Sequence, residues 1–96
     1  MFSWDTQEAI SNYEKHRVPF EEATTIFGDA EALDWEDKGH SKDELRFKRL
    51  GASVEGRILI VVYTIRRAKN GKETIRIISA RQANRKERKA YAGYSD

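Results

Sequence analysis

The chain has 96 residues, enough for one small core and too few for two, and its 39% hydrophobic and 10% aromatic content can fill that core. It has no cysteine, which removes disulfides and thiolate metal sites and fits a reducing cytosol. The net charge of +2 hides an asymmetry: residues 1–45 hold 12 Asp/Glu against 4 Lys/Arg, whereas residues 46–96 hold 14 Lys/Arg against 4 Asp/Glu. Such a basic half suits a polyanionic partner, nucleic acid first.

The N-terminus has acid where a secretion signal has base, and no apolar region follows it. The longest apolar run, Ile58 to Val62, is far too short for a bilayer. A soluble, cytoplasmic protein is expected, one domain spanning residues 1–96. Phe2–Trp4 reads as a short edge strand. Asp5 with Glu8 three residues on marks a helix N-terminus, and a helix from Thr6 to about His16 follows, with Ala9, Ile10, Tyr13 and His16 as its buried stripe. Val18-Pro19 breaks it, and Phe20, Ala23, Ile26 and Phe27 describe a second short helix closed by Gly28.

Strands come next. Leu33 and Trp35 alternate with Asp34 and Glu36, a polar loop occupies Lys38–Asp43, and Leu45-Arg46-Phe47-Lys48 alternates apolar with basic. Gly51 and Gly56 bracket a turn into Arg57–Ile65, whose centre is apolar on both faces and so belongs inside a sheet. Asn70-Gly71 predicts a two-residue hairpin into Thr74–Ala80. Asn84, with Glu87 at the third helical position, caps a final helix bearing Arg85, Lys86, Arg88 and Lys89, followed by Tyr91 and Tyr94. The pattern predicts an α+β domain with helices packed on an antiparallel meander.

The runs Phe2-Ser3-Trp4-Asp5, Asn12-x-x-Lys15-His16-x-Val18-x-Phe20-Glu21-Glu22-Ala23 and Phe27-x-Asp29 are similar to the N-terminal half of BrnT-type toxins. Glu44-x-Arg46-Phe47, the Gly51 turn, Val62-Tyr63-Thr64-x-Arg66, and Ile75 through Arg81 followed by Glu87 and Tyr91 agree in order and spacing. Pro19 stands where many relatives have a capping Ser. The resemblance implies a small RelE-like fold of N-terminal helices on an antiparallel sheet of about four strands, plus the basic C-terminal helix. It also implies a ribonuclease in a type II toxin–antitoxin pair. The partner it implies is a BrnA-like DNA-binding antitoxin, in a hetero-oligomeric complex that represses its own operon.

RNA is cleaved without a metal when its 2′-hydroxyl attacks the adjacent phosphate, provided the protein orients the attack, stabilises charge on phosphorus and moves protons. Arg46, Arg66, Arg76 and Arg81 lie on or at the ends of neighbouring predicted strands, and guanidinium forks suit the phosphate oxygens. Strict alternation puts Arg76 and Arg81 on opposite faces, so only a bulge or a strand end lets them share a site. For each arginine alone, an ion pair with the acidic half is at least as good a reading.

A histidine suits proton transfer near neutrality. His16 lies on the predicted apolar stripe and reads better as a packing residue, while His40, in the polar loop, is free to approach substrate. Tyr91 is an equal candidate for stacking or proton donation and for simple packing, and Tyr63 reads as core. Lys15, Lys48, Arg85, Lys86, Arg88 and Lys89 are the RNA-binding candidates. The histidines have no ligand spacing, so neither a metal nor another cofactor is expected. A non-catalytic nucleic-acid-binding module or a protein-interaction domain remains the alternative function.

Overall fold

The structure is a computed structural model describing residues 1–93. Tyr94 therefore lies outside the described residues. The elements run β1 (Phe2–Ser3), α1 (Thr6–His16), α2 (Phe20–Thr25), β2 (Leu33–Glu36), β3 (Phe47–Ala52), β4 (Ile58–Arg67), β5 (Glu73–Gln82) and α3 (Arg85–Tyr91), with single 3-10 turns at Ile26–Gly28 and Lys38–His40. One five-stranded sheet has the order β1-β5-β4-β3-β2. Strands β2 to β5 form the expected antiparallel meander, but the sheet is mixed, because β1 adds to β5 in parallel, Phe2 opposite Ile75 and Ser3 opposite Arg76. The expectation of about four antiparallel strands is corrected to five, since a two-residue strand carries too little pattern to reveal its direction.

One sheet face carries the larger core. Leu59, Val61, Tyr63, Ile77 and Ala80 meet Val18, Phe20, Ala23 and Ile26 from the α2 region. Each large apolar side chain buried there contributes about 1.5–3 kcal/mol. Gly51 lies inside β3 and not in a turn: a Cβ there would stand 3.1 Å from the Ala32 Cβ and 3.2 Å from that of Ile26. The Asn70-Gly71 hairpin has three loop residues, closed by Ala68 N–H to Lys72 O at 2.8 Å, with only Gly71 at positive φ (83°). A type I′ turn needs positive φ at both central residues, and Asn70 does not adopt it.

α1 starts as the sequence predicts, with the Glu8 N–H donating to the Asp5 carboxylate at 3.0 Å. Its buried face is different. Ile10 and Tyr13 are 48% and 44% exposed, and the buried residue of the helix is Asn12. Asn12 acts as a substitute strand on the β5 edge, where β1 has ended: its amide donates to Ala80 O (2.8 Å) and Val18 O (3.2 Å) and accepts from Ala80 N–H (3.0 Å). An unmet buried backbone group costs about 1–3 kcal/mol. Asn12→Ala is therefore expected to lower unfolding stability by about 2–4 kcal/mol in urea titration, and an unchanged midpoint would contradict this account.

A second buried polar group ties the β3–β4 turn to α2. Glu22 accepts from Arg57 Nε at 2.9 Å and Nη2, and from Ser53 Oγ at 2.7 Å. Its carboxyl is held below the usual range, chiefly by the Arg57 hydrogen bonds and next by Ser53, against the opposing effect of burial. A depressed carboxyl pKa contributes stability that is present above the unfolded value of about 4.3 and lost as pH falls through the folded one. Wild-type stability should fall between pH 5 and pH 3, and Glu22→Gln, less stable at pH 7 by about 1–3 kcal/mol, should show a flatter acid limb in the same titrations.

Candidate active site

The other sheet face is open except at one end, where α3 covers Leu50 and Ile60 through Ala83 and Tyr91. Strand register arranges its side chains in rows. Trp35, Lys48, Val62 and Ser79 form one row across β2, β3, β4 and β5. Leu33, Leu50, Ile60 and Arg81 form the row toward α3. On the other side Thr64 faces Arg76, and Arg46, immediately before β3, continues the register opposite Thr64.

A β-bulge makes this arrangement possible. Val62 pairs with Ser79 but Tyr63 pairs with Ile77, leaving Ile78 as the extra residue of β5. The insertion shifts side-chain parity by one, so Arg76 opposite Thr64 and Arg81 opposite Ile60 lie on the same face. The condition set by strict alternation is met by the bulge.

The loop after β2 builds the wall of a cleft. Asp37 N–H donates to Arg46 O at 2.7 Å, and Ser41 Oγ donates to Asp37 O at 2.8 Å while accepting from Arg46 N–H at 3.0 Å, so both loop ends are pinned. His40 Nδ1 lies 3.1 and 3.2 Å from the two Asp37 carboxylate oxygens. The Asp37 side chain is 11% exposed and that of His40 69% exposed, which leaves the opposite ring nitrogen, Nε2, toward solvent. The tautomer follows from this pairing: Nδ1 carries a hydrogen, and Nε2 is an acceptor in the neutral ring. Sequence reading picked out His40 and missed Asp37, although an acid three residues before a histidine across one helical turn is the available signal.

Arg46, Lys48, His40, Asp37 and Ser79, with Val62 and Ile78 beneath, line a cleft of about 250 Å³. A second hollow of about 390 Å³, between His40, Glu44 and Arg46, adjoins it. Arg46 Nε is buried and has no hydrogen-bond partner among the described residues. A buried donor left unmatched is costly and rare, and here it belongs to one of the two residues, Arg46 and His40, shared by both hollows.

Arg66, Arg76 and Arg81 each face a carboxylate. Arg81 makes two parallel hydrogen bonds to Glu87, at 2.8 and 2.9 Å, and Glu87 also closes the capping box with Asn84 at the start of α3. The Arg81 bonds hold Glu87 below its usual range, and Lys48 adds to the effect through space. Arg76 lies 3.7 Å from Glu8 and Arg66 3.6 Å from Glu44. Arg76 is two strands from Arg46 in the same row, about 10 Å between backbones, within reach for two long side chains working on one substrate.

Tyr91 is apart from the cleft. The last residue of α3, it packs on the cluster of Leu50, Ile60 and Ala83 and donates to Asp29 Oδ2 at 2.5 Å, and that bond holds its phenol above the usual range. Tyr63 is core as expected, donating to Asp34 at 2.7 Å, and burial first, then that bond, pushes its pKa up. Lys15 is exposed on α1, outside the cleft, and Arg85, Lys86 and Arg88 are exposed on α3, where Arg88 also donates to Ala83 O at 2.7 Å. Lys89 is half-buried on the same helix. Among the described residues no group of three or more His, Asp or Glu side chains is placed to hold a metal ion, and no helix is long and apolar enough to cross a membrane.

The family model for the ribonuclease toxin BrnT of type II toxin–antitoxin systems matches residues 4–87. The chain belongs to the BrnT family. Its fold is similar to that of the Brucella abortus ribonuclease toxin BrnT, known from a 1.1 Å crystal structure: the TM-score is 0.61 at 19% identity, covering 88% of this chain and 99% of that one. No curated protein sequence matches the chain. The BrnT match spans α1 through the start of α3 and so includes every wall of the cleft.

Proposed function

We propose that this chain is the toxin of a type II toxin–antitoxin pair and an endoribonuclease that cleaves RNA by 2′-hydroxyl attack without a metal. The observation that carries the site is the buried, unmatched Arg46 Nε in a cleft that also holds Lys48 and the Asp37–His40 pair. A scissile phosphate seated there meets the Arg46 guanidinium, which among the described residues no carboxylate occupies. Arg46 and Lys48 then stabilise the extra negative charge as the O2′–P bond forms and the P–O5′ bond breaks. His40 Nε2 takes the 2′-hydroxyl proton, with Asp37 holding the ring and balancing its charge. The departing 5′-oxygen takes a proton from water at the cleft mouth.

Arg76 seats the neighbouring phosphate, in competition with its weak pairing to Glu8. Arg66 and Arg81 flank the site, and Tyr91 supports it by anchoring α3 to Asp29. Lys15 and the α3 cations Arg85, Lys86, Arg88 and Lys89 extend the positive surface along which RNA tracks. The protein acts in the cytoplasm, and a BrnA-like DNA-binding antitoxin covers the cleft in a hetero-oligomeric complex that represses its operon.

Purified protein should cut a defined single-stranded RNA in EDTA and leave a 2′,3′-cyclic phosphate, with Arg76→Ala slowing the reaction about 10- to 100-fold, as loss of a charge-assisted hydrogen bond does. Salt-sensitive binding without cutting would instead support a non-catalytic nucleic-acid-binding module.

A further inference from the structure

Trp35 differs from the other tryptophan of the chain. Trp4 is part-buried and packs edge-on against Phe20, with ring centroids 5.9 Å apart. Trp35 is 42% exposed, and among the described residues no aromatic ring or cation packs on it and its indole N–H makes no hydrogen bond. A lone exposed aromatic is ordinary on a protein surface, but this one has a defined neighbourhood.

Register places it. Trp35 stands directly opposite Lys48, which lines the cleft, so its side chain projects from the same open face, with Cβ atoms about 5 Å apart. The next same-face residue along β2 is Leu33, 44% exposed, which extends an apolar shelf along the sheet edge. The cleft itself is polar and cationic, suited to phosphate and ribose, and the ring it contains, the His40 imidazole, is held edge-on by Asp37 for proton transfer. The shelf supplies a flat ring for a base, a single row from Arg46, at a two-residue strand rise of about 7 Å.

Resting on the ribonuclease reading above, we infer that Trp35 is a base-stacking platform: an unpaired base next to the scissile phosphate leaves its stack and lies on the indole, while Lys48, with Arg46, holds that phosphate. Every base has a π-face, so this contact selects single-stranded over duplex RNA without selecting a sequence. It gives β2, an edge strand with four exposed residues, a role in binding RNA.

The test uses two uncleavable probes of equal length: an all-2′-O-methyl single strand and the same strand with its bases removed. Wild-type protein should bind the base-bearing strand about 5- to 100-fold more tightly, Trp35→Ala should lose that preference with affinity for the base-free strand unchanged, and Trp35→Phe should retain most of it. In a Trp4→Phe background, the base-bearing strand should quench Trp35 fluorescence. Equal weakening toward both probes would make Trp35 structural, and unchanged preference would remove it from the RNA surface; either result overturns the inference while leaving the nuclease reading intact. Loss of antitoxin binding alone would reassign the shelf to the protein partner. Wild-type protein that neither binds nor cuts RNA would defeat the inference together with the reading beneath it.

Discussion

Arg46→Ala is expected to lower single-turnover RNA cleavage about 10²- to 10³-fold, the usual cost of deleting one preorganised donor aimed at developing charge. The expectation rests on what the side chain lacks. Arg66, Arg76 and Arg81 all face carboxylates, whereas Arg46 has a buried Nε with no partner. Its structural tie runs through the backbone, N–H to Ser41 Oγ and O from Asp37 N–H, and alanine keeps both. Urea stability should therefore stay within about 1 kcal/mol of wild type, or rise as a buried orphan donor is removed. Arg46→Lys should recover little, because an ammonium at the end of a flexible stem cannot place a donor where Nε stands. Wild-type rates in Arg46→Ala would remove the residue from the site, and loss of folding would show it to be structural.

The same comparison separates the remaining arginines. Arg81 is fixed by two short bonds to a glutamate that caps α3, so its replacement should act first on how α3 docks. Arg76 has only a 3.7 Å pairing to an exposed glutamate, which a phosphate can displace. Sequence presented these side chains as equals. Their difference lies in long-range pairing, Glu8 with Arg76 across the β5 edge and Glu44 with Arg66 across the β3–β4 ladder, which no local pattern encodes.

What sequence conveyed well is what local chemistry decides. Asp5 and Asn84 marked helix starts because capping is a contact over three residues. The apolar run of β4 announced a central strand because it is paired on both edges and its first half is covered on both faces, Leu59 and Val61 by the α2 region and Ile60 by α3. The errors share the opposite cause. Periodicity assigned α1 an apolar stripe, but the helix lies along a strand edge whose unpaired backbone needs an amide, so Asn12 is buried while Ile10 and Tyr13 are half exposed. Gly51 read as a turn because glycine usually marks one, whereas here it is needed for the close approach of Ala32 and Ile26. The Ile78 bulge, on which the shared face of Arg76 and Arg81 depends, leaves no trace in a β-branched run that reads equally well in either register.

His40→Gln is the second large expected loss, about 10²- to 10⁴-fold in cleavage rate, the range for a positioned general base. The geometry fixes the division of labour between the two ring nitrogens. Nδ1 is occupied by Asp37, and only Nε2 can meet a 2′-hydroxyl at the cleft mouth. Glutamine can still hydrogen-bond but cannot carry a proton through the reaction, so RNA affinity should change little while the chemical step collapses. Asp37→Asn should cost less, because an amide can still orient the ring but no longer balances the imidazolium formed in the transition state. A cleavage rate close to wild type in His40→Gln would transfer proton removal to water and leave the Arg46–Lys48 charge clamp as the whole of the catalyst.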